Sequence, residues 1–209
     1  MKLVRKPWIW VSRFRNRKGY GVHSPFAYSF IRGVVLETTP YYAYSELARL
    51  HPWWVRWGRM YPLSCRQLLF RLANFAEPKT VVLLTEDEVA KKYVRAAVPR
   101  AEIISAGKPL STNTGRGKGD TKRERKMAEM KAEFVFIGRE HLREAARYAV
   151  AMPPQGMMVC EGIHGNRKAM EIWRAIQADP HTGITFDLYT YGVAFFNHAL
   201  YKQHYKVNF

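Results

Sequence analysis

The stretch Thr80–Tyr93 sets an apolar run, Val81–Leu84, against three consecutive acids, Glu86, Asp87 and Glu88. It then continues with Val89, Tyr93, Val94 and Ala97 at helical spacing. This is the strand-turn-helix order that opens a nucleotide-binding α/β domain, where ligand-binding groups gather at the carboxyl end of the strand. No glycine stands at the turn, which reads Leu84, Thr85, Glu86. A backbone that brings a cofactor against a strand end usually needs glycine there, to turn tightly and leave room for the ligand. The chain is therefore either an enzyme with an altered cofactor site or a fold that works without one.

The remaining candidates for chemistry are fewer. Thr114-Gly-Arg-Gly-Lys-Gly-Asp-Thr121 is glycine-rich but lacks the four-residue spacing before Gly-Lys-Ser/Thr that a phosphate loop requires. It reads as a flexible loop whose cations suit phosphate oxygens: Arg116, Lys118, Lys122, Arg123, Arg125 and Lys126. His23 and His51 stand near helix boundaries, and His164 follows the strand around Cys160, close to Glu161. A structural role is the better reading for each of the three. Cys65 and Cys160 are far apart with no Cys-x-x-Cys pair, so neither a disulfide framework nor a metal site is expected, and a cytoplasmic setting is the simpler one.

Charge is the strongest compositional signal. The 209 residues hold 34 Lys and Arg against 17 Asp and Glu, a net charge of +17. The first 36 residues contain eight basic residues and no acid, and residues 107–131 contain eight basic and three acidic ones. The remainder is close to neutral. Such localised charge suits polyanions, whether RNA, DNA or an anionic membrane surface, and equally a solvated basic surface that aids solubility. In the N-terminal arm, Arg13, Arg15, Arg17 and Lys18 alternate with Trp8, Trp10, Phe14 and Tyr20, a mixture suited to base stacking with phosphate contact or to a bilayer surface. No run approaches the roughly 20 apolar residues that cross a bilayer.

The elements that must position these groups fall into three parts: a basic aromatic arm over 1–18, a helical cap over 19–77, and an α/β domain over 78–209 carrying the basic loop 107–131. Ser24-Pro25 starts a helix to about Leu36 that buries Phe26, Phe30, Ile31 and Val34. A second helix is expected near Tyr44–Trp57, either kinked at Pro52 or divided there into two shorter helices, with Trp53, Trp54 and Trp57 packed in the cap. A third, capped by Ser64, turns Leu68, Leu69, Leu72 and Phe75 inward. Strands are expected at Val81–Leu84, Ala101–Ser105, Glu133–Ile137 and Gly156–Cys160, with helices at Glu86–Val98, Glu140–Met152 and Asn166–Gln177. Leu142, Ala145, Ala146 and Ala149 form the inner stripe of Glu140–Met152. The tail, Gly183–Tyr189, Gly192–Phe196 and Tyr205–Phe209, reads as antiparallel strands. The order predicts a doubly wound, mostly parallel sheet.

With these segments in place, the chain resembles small class I S-adenosylmethionine-dependent methyltransferases. Gly19-Tyr-Gly-Val-His-Ser-Pro-Phe26 is similar to their N-terminal glycine, His-Ser-Pro-Phe signature. Pro78-Lys-Thr-Val-Val-Leu-Leu84 stands at their first strand and Glu133-Phe-Val-Phe-Ile137 at their fourth. Lys168-Ala-Met-Glu-Ile-Trp173 and Thr185-Phe-Asp-Leu-Tyr-Thr-Tyr-Gly-Val-Ala-Phe-Phe196 resemble their closing helix and strands. The resemblance implies a seven-strand Rossmann-like sheet behind a helical cap, with S-adenosylmethionine as the cofactor. It places the cofactor at Leu84, Thr85, Glu86, Ser105, Ala106, Gly107, Gly138 and Glu161. Three positions depart from the pattern: the glycine-rich turn becomes Thr85 and its neighbours, the ribose-binding acid becomes Ser105-Ala106-Gly107, and the fourth-strand aspartate becomes Gly138. Each lost charged hydrogen bond weakens binding by roughly 1.5–3 kcal/mol.

Three functions are open on this reading. The first is a non-catalytic methyltransferase-like pseudoenzyme that binds RNA. The second is an active methyltransferase in which Glu86, Glu88 or Glu161 replaces the missing acids. The third is a membrane-peripheral or assembly protein held by its arm.

Overall fold

The computed structural model describes residues 24–53, 61–106 and 132–207. The basic arm, His23, Trp54, Trp57, Gly107 and the loop cations lie outside these residues.

The His-Ser-Pro-Phe segment begins α1, Pro25–Phe30. The Ser24 hydroxyl accepts a hydrogen bond from the Ala27 amide, and Pro25 occupies the first turn, where no amide donor is needed. The helix then widens into a π-helical turn, Ile31–Val35, a departure from the single α-helix expected to Leu36. The Arg71 side chain accounts for its carbonyls. Its Nε donates to the Val34 oxygen at 2.7 Å and its Nη2 to the Val35 oxygen at 3.1 Å, so a buried guanidinium caps the helix end.

Helix α2 is short, Tyr44–Ala48, and helical backbone resumes at Trp53, so the segment is broken at Pro52 in the manner of two shorter helices. Trp53 is 71% exposed, not packed in the cap. Helix α3 spans Tyr61–Ala76, so Ser64 sits inside its first turn and does not cap it. Leu68, Leu69 and Leu72 are fully buried, but Phe75 is 42% exposed and meets Phe30 edge-on at 5.4 Å. Glu77 ends the helix with φ 42°, in the left-handed region common just past a helix.

From there strand and helix alternate: β1 Thr80–Leu84, α4 Glu88–Ala97, β2 Glu102–Ala106, β3 Phe134–Ile137, α5 Ala145–Ala151, β4 Met157–Glu161, α6 Arg167–Ala178, β5 Ile184–Asp187, β6 Tyr191–Phe195 and β7 Gln203–Lys206. A 3-10 turn, Leu142–Glu144, precedes α5, and Ala146 faces solvent while Leu142, Ala145 and Ala149 are buried. The sheet order is β2-β1-β3-β4-β6-β5-β7. Strands β1 to β4 are parallel, with Leu84 beside Ala106 and Ile137. Only β6 is reversed; β5 pairs antiparallel with it, and β7 pairs parallel with β5. The antiparallel tail expected from the sequence is thus one strand, and β7 lies a few residues earlier than Tyr205–Phe209.

The fold is α/β and doubly wound. Val81, Leu83, Phe134 and Phe136 enter a core shared with α1, α3 and α4. The alternate residues Val82, Leu84, Val135 and Ile137 enter a second core with α5 and α6. Phe30 ties cap to sheet, with ring centroids 4.5 Å from Phe186 and 5.1 Å from Phe195, the latter edge-on. Because β2 and β3 lie on opposite sides of β1, the chain reverses its direction of winding there. The crevice at the carboxyl ends of β1 and β3 is where such folds place ligands.

Candidate functional site

Five elements converge on that crevice. Leu84 and Thr85 end β1, Gly138 follows β3, Glu161 ends β4, Asp187 ends β5 and Tyr191 begins β6. Of the residues predicted from sequence, Leu84, Thr85, Glu86 and Gly138 meet directly. Ser105 and Ala106 lie beside Leu83 and Leu84 by strand register. Gly107 lies outside the described residues. Glu161 is buried and joins the others through a residue that sequence reading overlooked, Arg66.

Two side chains of the protein, exposed Glu140 and the largely buried Arg66, reach across the strand ends. Glu140 folds back so that one carboxylate oxygen accepts from the Thr85 hydroxyl at 2.8 Å and from the Glu86 amide at 2.8 Å. The Asp87 amide donates in turn to the Thr85 hydroxyl oxygen at 3.1 Å. Gly138 is required for this close approach: a Cβ there would sit 2.5 Å from the Glu140 oxygen and 2.7 Å from that of Thr85. The site lacks glycine at the β1 turn, and the space is closed by Thr85 and Glu140 instead.

Arg66, projecting from α3, occupies the neighbouring space. Its guanidinium donates to Asp87 at 2.6 Å, to the Tyr191 hydroxyl at 2.7 Å and to Glu161 at 3.2 Å. Its side chain is 12% exposed. Burial opposes its charge, but Tyr191, Glu161 and Asp87 more than offset this and hold it protonated well above the ordinary arginine range. Burial pushes the Tyr191 hydroxyl up, so it stays neutral. Asp87 also caps α4, accepting from the Val89 and Ala90 amides at 2.8 and 3.0 Å. The exposed Arg139 reaches Glu161 from outside at 3.4 Å. At the rim, His51 Nε2 lies 3.2 Å from the Tyr93 hydroxyl.

A second constellation flanks the first. His164 stands at the strand edge, as its sequence position predicts, and its Nε2 lies 2.8 and 3.0 Å from the two oxygens of buried Asp187. Nothing in the sequence singles out Asp187, which lies 23 residues away. Among the described residues no cluster of three or more His, Cys, Asp and Glu is placed to hold a metal ion, and no helix is long and apolar enough to cross a membrane. Both cysteines are buried thiols outside any disulfide, and burial pushes the Cys160 thiol up to about 12. The ten predicted polyanion contacts, Arg13 to Lys18 and Arg116 to Lys126, lie outside the described residues.

The titrating groups give a signed pH dependence. Burial, aided by Arg66, lowers His51; burial, aided by Lys202, lowers His204. Burial would raise Asp87 and Glu140, but their amide, Arg66 and Thr85 partners prevail and lower both. All four bind fewer protons folded than unfolded, so acid destabilises the fold. Melting temperature is expected to fall in two steps, below pH about 6.5 for the histidines and below about 4 for the carboxylates. His51→Gln should reduce the first step; an unchanged profile would show that His51 titrates as it does in the unfolded chain.

No protein-family model matches the chain, and neither does any curated protein sequence. Among solved structures, it is similar to a methyltransferase from Geobacter sulfurreducens, with 10% identity over 83% of this chain and 97% of that one, at a TM-score of 0.45. Cofactor-bound Rv0187 from MTB gives 13% identity over 90% and 96%, at 0.46. The O-methyltransferase TomG from Streptomyces achromogenes, in complex with SAM, gives 11% over 79% and 94%, at 0.45. Likenesses this distant carry no argument about the site or activity of this chain.

Proposed function

We propose that this chain is a methyltransferase-fold module whose cofactor crevice is occupied by its own side chains, and that it acts as a non-catalytic, basic, RNA-binding protein. One observation carries the reading. Glu140 and Arg66 satisfy donors and acceptors at the ends of β1 and β4, where a nucleoside cofactor would need them. A ligand entering there must displace a buried guanidinium from three partners at once. The seven-strand sheet, the helical cap and the Ser24-Pro25 helix start support the methyltransferase ancestry that the sequence resemblance implies. The net charge of +17 supports a polyanion partner.

A thermal-shift titration with S-adenosylmethionine and with its demethylated product tests the reading. Saturation of an intact site at a hundred times its dissociation constant would stabilise the fold by about 2.7 kcal/mol, a shift of several degrees. The expected result is no shift at millimolar concentration. A saturable shift would restore the second reading, an altered but active methyltransferase, to which exposed Glu86 would contribute an acid. Sedimentation with anionic vesicles that exceeds RNA binding would favour the membrane-peripheral reading instead.

A further inference from the structure

The turn joining β5 to β6 is unusual in a way the occupied crevice does not explain. Tyr189 has φ 70°, in the left-handed region that disfavours a bulky side chain. Asp187 holds it there by accepting from the Tyr189 amide at 2.9 Å. The same buried carboxylate fixes the His164 imidazole. The result is a stack of the two rings, centroids 4.8 Å apart and planes 17° apart. Both side chains are half-buried, so the pair stands at the surface of the carboxyl edge. The hydrophobic core makes no use of this strain, because neither ring belongs to it. Strain held by a buried group at a ligand-bearing edge points to a functional surface.

A cation lies alongside. Gly162, with φ 79°, donates from its amide to the Thr190 carbonyl at 2.7 Å. A Cβ on Gly162 would also lie 3.0 Å from that of Arg139. One tight turn therefore sets the Tyr189 segment on one side and the 70% exposed Arg139 side chain on the other. A flat aromatic pair near an exposed arginine side chain, whose guanidinium rests 3.4 Å from Glu161, suits one repeat of a single-stranded nucleic acid, with a base on the ring and a phosphate drawing the arginine outward.

We propose that Tyr189, stacked on His164 and pre-set by Asp187, is a base-stacking platform for single-stranded RNA, with Arg139 as its phosphate contact. This inference rests on the RNA-binding reading above, and its failure is separable from that of the reading. Stacking contributes a salt-independent part of the affinity, whereas phosphate contacts set the salt slope.

Binding of oligoadenylate, oligouridylate and duplex RNA should be measured across a range of salt concentrations. Tyr189→Ala is expected to weaken oligoadenylate binding about tenfold at every salt concentration, with the slope unchanged. Tyr189→Phe should bind as the wild type does. Tyr189→Gly, which relieves the backbone strain and so controls for folding, should lose as much as Tyr189→Ala. The wild type should prefer oligoadenylate, both Ala and Gly variants should lose that preference, and duplex binding should not change. Wild-type affinity retained by Tyr189→Ala or Tyr189→Gly would overturn the platform while leaving the RNA reading intact. A wild type that binds no RNA would end both.

Discussion

Replacing Arg66 with alanine is expected to destabilise the fold by about 3 kcal/mol, lowering the melting temperature by roughly 6–12 °C for a chain of this size. The guanidinium is the common partner of Asp87, Glu161 and Tyr191. Removing it leaves Glu161, whose side chain is 7% exposed, with Arg139 at 3.4 Å as its remaining side-chain partner among the described residues. An uncompensated buried charge is strongly destabilising, whereas Asp87, at 37% exposure, is largely rescued by water. Most of the loss therefore comes through Glu161. The double variant Arg66→Met with Glu161→Leu should recover much of the stability, because a well-packed apolar pair avoids the desolvation that the ion pair must overcome. Urea unfolding of the two single variants and the double variant closes the cycle. A loss below about 1 kcal/mol for Arg66→Ala would mean that the network behaves as a solvated surface pair. The case for a crevice closed by its own side chains would then lose its energetic basis.

Changing Arg116, Lys118, Lys122, Arg123, Arg125 and Lys126 together to glutamine is expected to remove most of the salt dependence of RNA binding. On single strands each phosphate contact contributes about 0.7 to the slope of log affinity against log salt, so six contacts contribute about 4. A tenfold rise in salt should thus weaken wild-type binding by up to about four orders of magnitude through these contacts alone. The six-fold variant should lose that steepness and bind weakly even at low salt. A slope unchanged in the variant would assign the phosphate contacts to the N-terminal arm. Loss of the slope on deleting residues 1–18 would confirm that assignment.

The two substitutions act on separate parts of the chain. Arg66 concerns what occupies the crevice, and the loop cations concern what the protein binds elsewhere. A stable loop variant without RNA affinity would establish that binding resides in the added charge. An Arg66 variant that newly binds S-adenosylmethionine would show a methyltransferase site held shut by one side chain.

Sequence alone determined the order of the elements, because strand and helix periodicity are local. Strands β1 to β4, three of them buried throughout or nearly so and β2 at the sheet edge half-exposed, lie within a residue or two of where apolar continuity places them. Ser24, Asp87 and Asn166 cap helices because their short polar side chains reach amides two or three residues on, an interaction that adjacent positions alone decide. Local pattern failed where a distant group intervened. Arg71 caps a π-helical turn more than thirty residues away, and Ser64 is absorbed into a helix that starts earlier than its capping signal implies. Phe75 fits an inner stripe by spacing yet remains largely exposed.

The site divides in the same way. The absence of a turn glycine is visible in the residues, and so is the excess of charge. Only the tertiary structure decided what replaces the missing ligand groups. Arg66 meets Glu161 across 95 positions, Thr85 meets Glu140 across 55, and His164 meets Asp187 across 23. Pairings over such separations depend on strand order and winding direction, which no local spacing encodes. The reversal of β6 brings Tyr191 to the crevice, and the return of β5 brings Asp187 beside it.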